Sequence, residues 1–311
     1  KLNIMKSSSF KLSIHKKKIW IFSSFLLIFS LIGILFSTYF SPVKKPLNLG
    51  MDFLGGTEIR IERICMDDQC SLETSDEVLK KLKKINVDKS LINSIRLQIQ
   101  NNNKLISVRT PFINLKESQN LINNFEEILG PLNFKSKSNR SIGPLLGKQL
   151  LINGATSLMA SLLAISLYIS LRFDRKFALF ALIALFHDLF IILGIFSWLG
   201  ILFSIEVNSL FLVSLLTIAG YSVNDTVVIF DRIRENSKSK SDESTNQNVE
   251  KSVNESFRRT FFTSLTTLLP LITLIIFGSY SLFWFSISLS LGILIGSYSS
   301  ILLAPSFLIK D

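Results

Sequence analysis

Apolar and polar positions fall into long blocks along this chain. Ile19 to Phe40 runs 22 residues without a charge, and Gln149 to Leu171 runs 23. Phe177 to Leu199 is interrupted only by His187 and Asp188, and Val207 to Phe230 only by Asp225. As helices rising about 1.5 Å per residue, each block reaches across about 30 Å of hydrocarbon. Thr260 to Ile309 has 50 residues and no charge, which is too long for one crossing. It reads as two helices that turn near Gly278-Ser279-Tyr280-Ser281. The pattern therefore predicts six transmembrane helices, over residues 19–40, 149–171, 177–199, 207–230, 260–280 and 282–309.

Between the first two blocks, residues 41–148 change texture. After Gly55-Gly56, Ile59 and Ile61 alternate with Glu58, Arg60 and Glu62, which is a strand pattern. Thr74-x-x-Glu77 makes a capping box, and Val78, Leu79, Leu82 and Ile85 follow at helical spacing, leaving Lys80, Lys81, Lys83 and Lys84 for the wet face. Ile95, Leu97 and Ile99, three Asn, then Ile106 and Val108 read as a hairpin. Leu121, Ile122, Phe125, Ile128 and Leu129 give a second helix, stopped by Gly130-Pro131, and Leu132 and Phe134 start a last, weak strand. The order is β-α-β-β-α-β, so the expected fold class is an α-helical polytopic membrane protein carrying one α+β, ferredoxin-like domain.

The net charge of +11, on 34 Lys plus Arg against 23 Asp plus Glu, acquires meaning from its placement. The tail over residues 1–18 holds six Lys, the turn from Arg172 to Lys176 holds three basic residues, and residues 231–259 hold seven. The connections around Ile201 to Glu206 and Gly278 hold none. Lys and Arg resist translocation, so both termini and the 231–259 loop are expected in the cytoplasm and the 41–148 domain outside. The first block, followed by Tyr39, Phe40 and Pro42, reads as a retained anchor and not a cleaved signal. Segregated in this way, the positive charge is an orientation signal and calls for no nucleic acid. In the 231–259 loop, Val249, Val253 and Phe257 recur every four residues and suggest a short amphipathic helix on the membrane surface.

Much chemistry is missing. Gly143 to Lys148 is too short between its glycines for a phosphate loop, and Gln149 stands where a magnesium-binding hydroxyl belongs. With two His there is no zinc helix motif and no serine triad is evident, so neither a metal nor a cofactor is expected. Cys65 and Cys70 on the outer side form either a small disulfide loop or free thiols. What remains is the set of ionisable groups inside the spans. An Asp at a helix centre costs about 2.5–3.5 kcal/mol on insertion scales. Burial favours the neutral form of a carboxyl and a nearby cation the charged form, and a proton relay needs both tendencies. Asp225, between Asn224 and Thr226, is the main candidate, with Arg258 and Arg259 within reach if the fourth and fifth spans pack together. Thr263, Ser264, Thr266 and Thr267 add hydroxyls down that helix. The alternative is that Asp225 only fixes helix contacts. His187 and Asp188, about 100° apart on their helix, make either a second polar station or a packing pair. Gly292-x-x-x-Gly296 permits close helix approach and is read as architecture.

Several stretches together resemble one family. Gly50-Met51-Asp52-Phe53-Leu54-Gly55-Gly56-Thr57 looks like a G-x-D-F-x-G-G-T signature, Gly143-Pro144 through Gly147 like a lead into the second span, and His187-Asp188 like a third-span pair. Gly220 to Glu235 (GYSVNDTVVIFDRIRE) is the most specific, followed by Arg259-Thr260, Thr263 to Thr267, and Gly296 to Ser300. These resemble the SecD/SecF family of the bacterial Sec protein-export machinery, on its smaller, SecF side. The resemblance implies a six-span unit of resistance-nodulation-division type in the plasma membrane. It also implies partnership with SecD, the Sec translocon channel and exported polypeptides, with no enzymatic step and with proton flow as the energy source. Asp225 falls on the family's proton-carrying aspartate and Arg259 on the basic residue beside it. Two other classes remain to be separated from it: a proton-driven small-molecule exporter half and a structural stabiliser of the translocon.

Overall fold

A computed structural model of the chain describes residues 11–40, 44–65, 70, 74–83, 95–100, 104–239 and 244–309. The chain divides into a helical unit, residues 1–48 and 154–311, and a smaller unit, residues 49–153.

The smaller unit opens with a single helical turn whose bounds follow from its glycines. The long helix α1 (Leu12–Tyr39) belongs to the other unit, and α2 (Met51–Leu54) starts at Gly50 and stops at Gly55. Then come β1 (Gly56–Arg63), α3 (Ser75–Leu82), β2 (Arg96–Gln100), β3 (Leu105–Thr110), α4 (Leu115–Leu129) and β4 (Leu132–Ile142). The strands form one antiparallel sheet in the order β2-β3-β1-β4, with Ile59 opposite Val108 and Glu58 opposite both Arg109 and Arg140. Ile59, Ile61, Ile106 and Val108 from the strands bury with Val78, Leu82, Leu121 and Phe125 from the helices in one core. Capping boxes at Thr74/Glu77 and Asn114/Glu117 begin the two helices. The helical pattern beyond Lys83, including Ile85, and the three-Asn turn of the hairpin lie outside the described residues. The last strand is far longer than Leu132 and Phe134 indicate. Its Lys135 to Arg140 stretch lacks apolar alternation, yet the backbone of Ser138 to Ile142 pairs with β1 as a charged edge strand. Cys65 and Cys70 are joined by a disulfide, with Cα atoms 5.1 Å apart.

Among the described residues six helices are long and apolar enough to cross a membrane. They are α1, α5 (Pro144–Arg172), α6 (Arg175–Phe203), α7 (Ser209–Ser239), α8 (Thr245–Phe277) and the segment from Leu282 to Ser306. This last segment contains most of α9 (Tyr280–Tyr298), a π-helical turn (Ser299–Leu303) and α10 (Ala304–Ser306). Helix α1 packs on α6 through small residues. Ser23, Ser30 and Ser37 are buried at seven-residue spacing, and Trp198 covers Gly33 and donates to the Phe29 carbonyl at 3.0 Å. Gly292 and Gly296 bring α9 against Ile218 and Ser222 of α7. Val249 and Val253 do not lie on a separate surface helix. No Gly or Pro breaks the chain between them and the apolar run, so α8 is continuous from Thr245, and both side chains are buried where α8 packs on α7. Asn248 donates to the Ile233 carbonyl and Arg232 pairs with Glu255 at 2.6 Å along that contact.

Candidate functional site

Helix α7 turns Ser222, Asp225, Thr226, Ile229 and Phe230 into the interior of the helical unit. Asp225 is 3% exposed, and its Oδ2 has no hydrogen-bond partner. Arg259 of α8, itself exposed, acts on this carboxylate through space. Arg258 turns elsewhere, its guanidinium 5.8 Å from the Phe262 ring. Asn224 is exposed, one residue off the buried face. Thr263, Thr266 and Thr267 are exposed and donate to carbonyls of their own helix, so this row of hydroxyls does not serve Asp225. Ser264 differs: it accepts from the Tyr221 hydroxyl at 2.9 Å and lies 2.6 Å from Ser297 Oγ, tying α7, α8 and α9 together.

His187 and Asp188 do act together. His187 Nδ1 lies 2.9 Å from Asp188 Oδ1, a distance the flexible side chains reach despite the angle between them on α6. Asp188 is fully buried, and its Oδ2 accepts from Ser222 of α7 and Ser299 of the π-turn, both at 2.6 Å. On the far side of the ring, Nε2 lies 2.5 Å from Ser23 Oγ of α1. The wider π-turn aims consecutive hydroxyls at two helices. Ser299 reaches α6, while Ser300 donates to the Ser222 carbonyl at 3.1 Å and lies 2.8 Å from Thr226 Oγ1. Two carboxylates on neighbouring helices thus sit in contrasting surroundings, Asp188 with every acceptor engaged and Asp225 with one oxygen bare.

Ser23, Ser222, Ser299, Ser300 and Thr226 carry this network; all but Ser23 lie inside the stretches that carry the family resemblance, which gave them no role of their own. A helical Ser commonly satisfies itself on the carbonyl four residues back, so a hydroxyl in an apolar run gives no signal of a tertiary partner. The seven-residue spacing of Ser23, Ser30 and Ser37 was the visible clue.

The signature around the two glycines sits in the smaller unit. Asp52 is buried and pairs with Arg140 at 3.2 Å, Phe53 is buried, and Thr57 Oγ1 lies 2.8 Å from Ser141 Oγ. Gly55 and Gly56 have φ of 75° and 144°, in the region that favours glycine. A Cβ on Gly55 would fall 2.8 Å from Pro144 Cα, and one on Gly147 2.9 Å from the Phe53 carbonyl oxygen. The glycines therefore lock the start of β1 against the first turn of α5. On the sheet, Glu58 is buried between Arg109 at 2.9 Å and Arg60 at 3.1 Å. Burial pushes its carboxyl up, but the two guanidinium groups outweigh this and hold it below the ordinary carboxylate range.

A family described as "Protein export membrane protein SecD/SecF, C-terminal" matches residues 122–310, and one described as "SecD/SecF GG Motif" matches residues 40–62. The chain belongs to the SecD/SecF family. The protein translocase subunit SecF of Prochlorococcus marinus is 45% identical over 310 residues, covering 98% of this chain and 96% of the relative. That of a Synechocystis species is 36% identical over 95% of this chain and 93% of its own. A crystal structure of SecDF from Thermus thermophilus, described as a translocon-associated membrane protein, matches with a TM-score of 0.78 at 27% identity. That match covers 96% of this chain but 38% of the SecDF chain. The SecD/SecF models together span the double-glycine entry to β1, both buried carboxylates and the π-turn.

Proposed function

We propose that the chain is a proton-coupled subunit of the Sec protein-export translocase, acting with SecD beside the translocon channel to complete the outward movement of polypeptides. The observation that carries this reading is Asp225. It is a carboxylate buried in a membrane-length helix, with one oxygen unpartnered and a guanidinium acting on it from the next helix. A buried acceptor left open calls for an occupant, and a proton on that oxygen supplies one. Gain and loss of a proton at Asp225 switches its attraction for Arg259 on and off, and so biases how α7 and α8 pack. The subunit itself makes and breaks no covalent bond of a substrate.

In this reading the six helices lie in the bacterial plasma membrane, both termini and the 231–259 segment are cytoplasmic, and residues 41–148 form the outer domain. The antiparallel order β2-β3-β1-β4 with α3 and α4 supports a ferredoxin-like assignment for that domain, which we take as the part that meets the exported chain.

Asp225→Asn keeps size and hydrogen bonding while removing the exchangeable charge. It should insert and assemble with SecD at wild-type levels and lose proton-dependent export. Wild-type export by this variant would favour the structural-stabiliser reading. Photo-cross-linkers on the outer sheet, in cells arrested in export, should capture the exported polypeptide. Failure to capture it, together with proton-coupled efflux of a small molecule, would favour the exporter class.

A further inference from the structure

The buried pair on α6 has no task in the mechanism above, and its geometry accommodates a proton. No Lys or Arg pairs with Asp188 among the described residues, so the imidazole is the partner able to neutralise it. An open, mostly apolar cleft of about 380 Å³ reaches this imidazole, with Ser23, Ser24 and His187 as its polar lining among Trp20, Phe186 and Phe307. The groups facing the pair come from every neighbouring element. Helix α1 supplies Ser23, and α9 supplies Tyr298, whose hydroxyl lies by that serine and donates to the Ile19 carbonyl at 3.2 Å. Helix α7 supplies Ser222, with Asp225 one turn further on, and the π-turn supplies Ser299.

We infer that His187 and Asp188 form a second proton-holding station, loaded from this cleft at the imidazole and read by α7 and the π-turn through Ser222 and Ser299. The inference rests on the proton-coupled reading of Asp225 and adds to that cycle a site on a different helix. With the ring neutral, Nδ1–H donates to Asp188 Oδ1 and the Ser23 hydroxyl donates to the bare Nε2. A proton delivered by hydronium in the cleft bonds to Ser23 Oγ, Ser23 passes its own proton to Nε2, and water is left behind. Ser23 then accepts from the new N–H, its own O–H pointing toward the cleft and the Tyr298 hydroxyl, so both ring nitrogens stay partnered in either state. The imidazolium neutralises Asp188, and the charge-assisted bonds from Ser222 and Ser299 weaken. Those two bonds join α6 to α7 and to the π-turn, so the proton count at His187 is felt one helical turn from Asp225.

The chain has two His, so His15→Gln leaves His187 as the sole imidazole of the full-length protein. Nitrogen-15 NMR of its ring in lipid nanodiscs, across about pH 5–9 where imidazoles ordinarily titrate, should show reversible conversion from one protonated nitrogen to two. Asp188→Asn should displace that transition. Ser222→Ala should keep it while altering the pH profile of export. A ring that holds one spectrum throughout, a transition unmoved by Asp188→Asn, or a wild-type export profile in Ser222→Ala would each overturn the proposal. The ring measurement does not depend on Asp225. If Asp225→Asn exported normally, the reading of the previous section would fall while the ring transition would stand.

Discussion

A carboxylate inside hydrocarbon must be neutral, paired or hydrogen-bonded, and the two in this chain solve the problem differently. Asp188 collects His187, Ser222 and Ser299, while Asp225 leaves Oδ2 unpartnered. Both stood out in the sequence because a charge in an apolar run is costly. The serines that bind Asp188 lie in the resemblance stretches but showed no role there, because that role exists only once α6, α7 and the π-turn meet. Residue-scale consequences can be measured on the sheet as well. Glu58 is held ionised by Arg109 and Arg60, so the fold favours its charged form, and its stabilisation is present at neutral pH. Acidification through the ordinary carboxylate range and below protonates it and removes that contribution. Hydrogen exchange at β1 and β3 amides of the full chain should therefore quicken as pH falls, after correction for intrinsic rates. Glu58→Gln should flatten this response, and an unchanged response would show that the ion pairs do not matter. Gly55→Ala would put a Cβ 2.8 Å from Pro144 Cα on a backbone with φ of 75°. It should cost about 1–3 kcal/mol, read as a lower unfolding temperature, where an exposed glycine change costs little.

At the scale of elements, periodicity and capping residues carried most of the information. The Thr74/Glu77 box begins α3, and Asn114/Glu117 does the same for α4 though only the apolar stripe behind it was read. Asn114→Ala should destabilise the sheet unit by about 1 kcal/mol, and Asn114→Asp should restore it, both visible in α4 amide protection. Two elements were hard to read for physical reasons. β4 is an edge strand held by backbone pairing with β1, so its Lys and Ser residues need no alternation. Helix α8 runs from a polar stretch into an apolar one without a break, because one face of its polar half packs on α7, with Asn248 and Ser252 buried there and Glu255 paired with Arg232 at the margin. Charge alone drew a boundary there that the backbone does not have.

At the scale of the whole molecule, the six apolar helices and the polar insert were legible because crossing hydrocarbon demands length and apolarity, and a soluble domain demands neither. Which helices touch was not legible, since lipid-facing and helix-facing leucines look alike in sequence. A proton moving down a membrane potential delivers about 2.3 kcal/mol per 100 mV, enough to shift a helix-packing equilibrium by more than tenfold. The most direct test of the central claim is the rate of precursor export from membrane vesicles carrying this chain with SecD, measured at stepped proton gradients with the ATP-driven stage saturated. The account predicts a rate that climbs with the gradient in the wild type and stays level in Asp225→Asn. An Asp225→Asn rate that climbs with the same slope would contradict it.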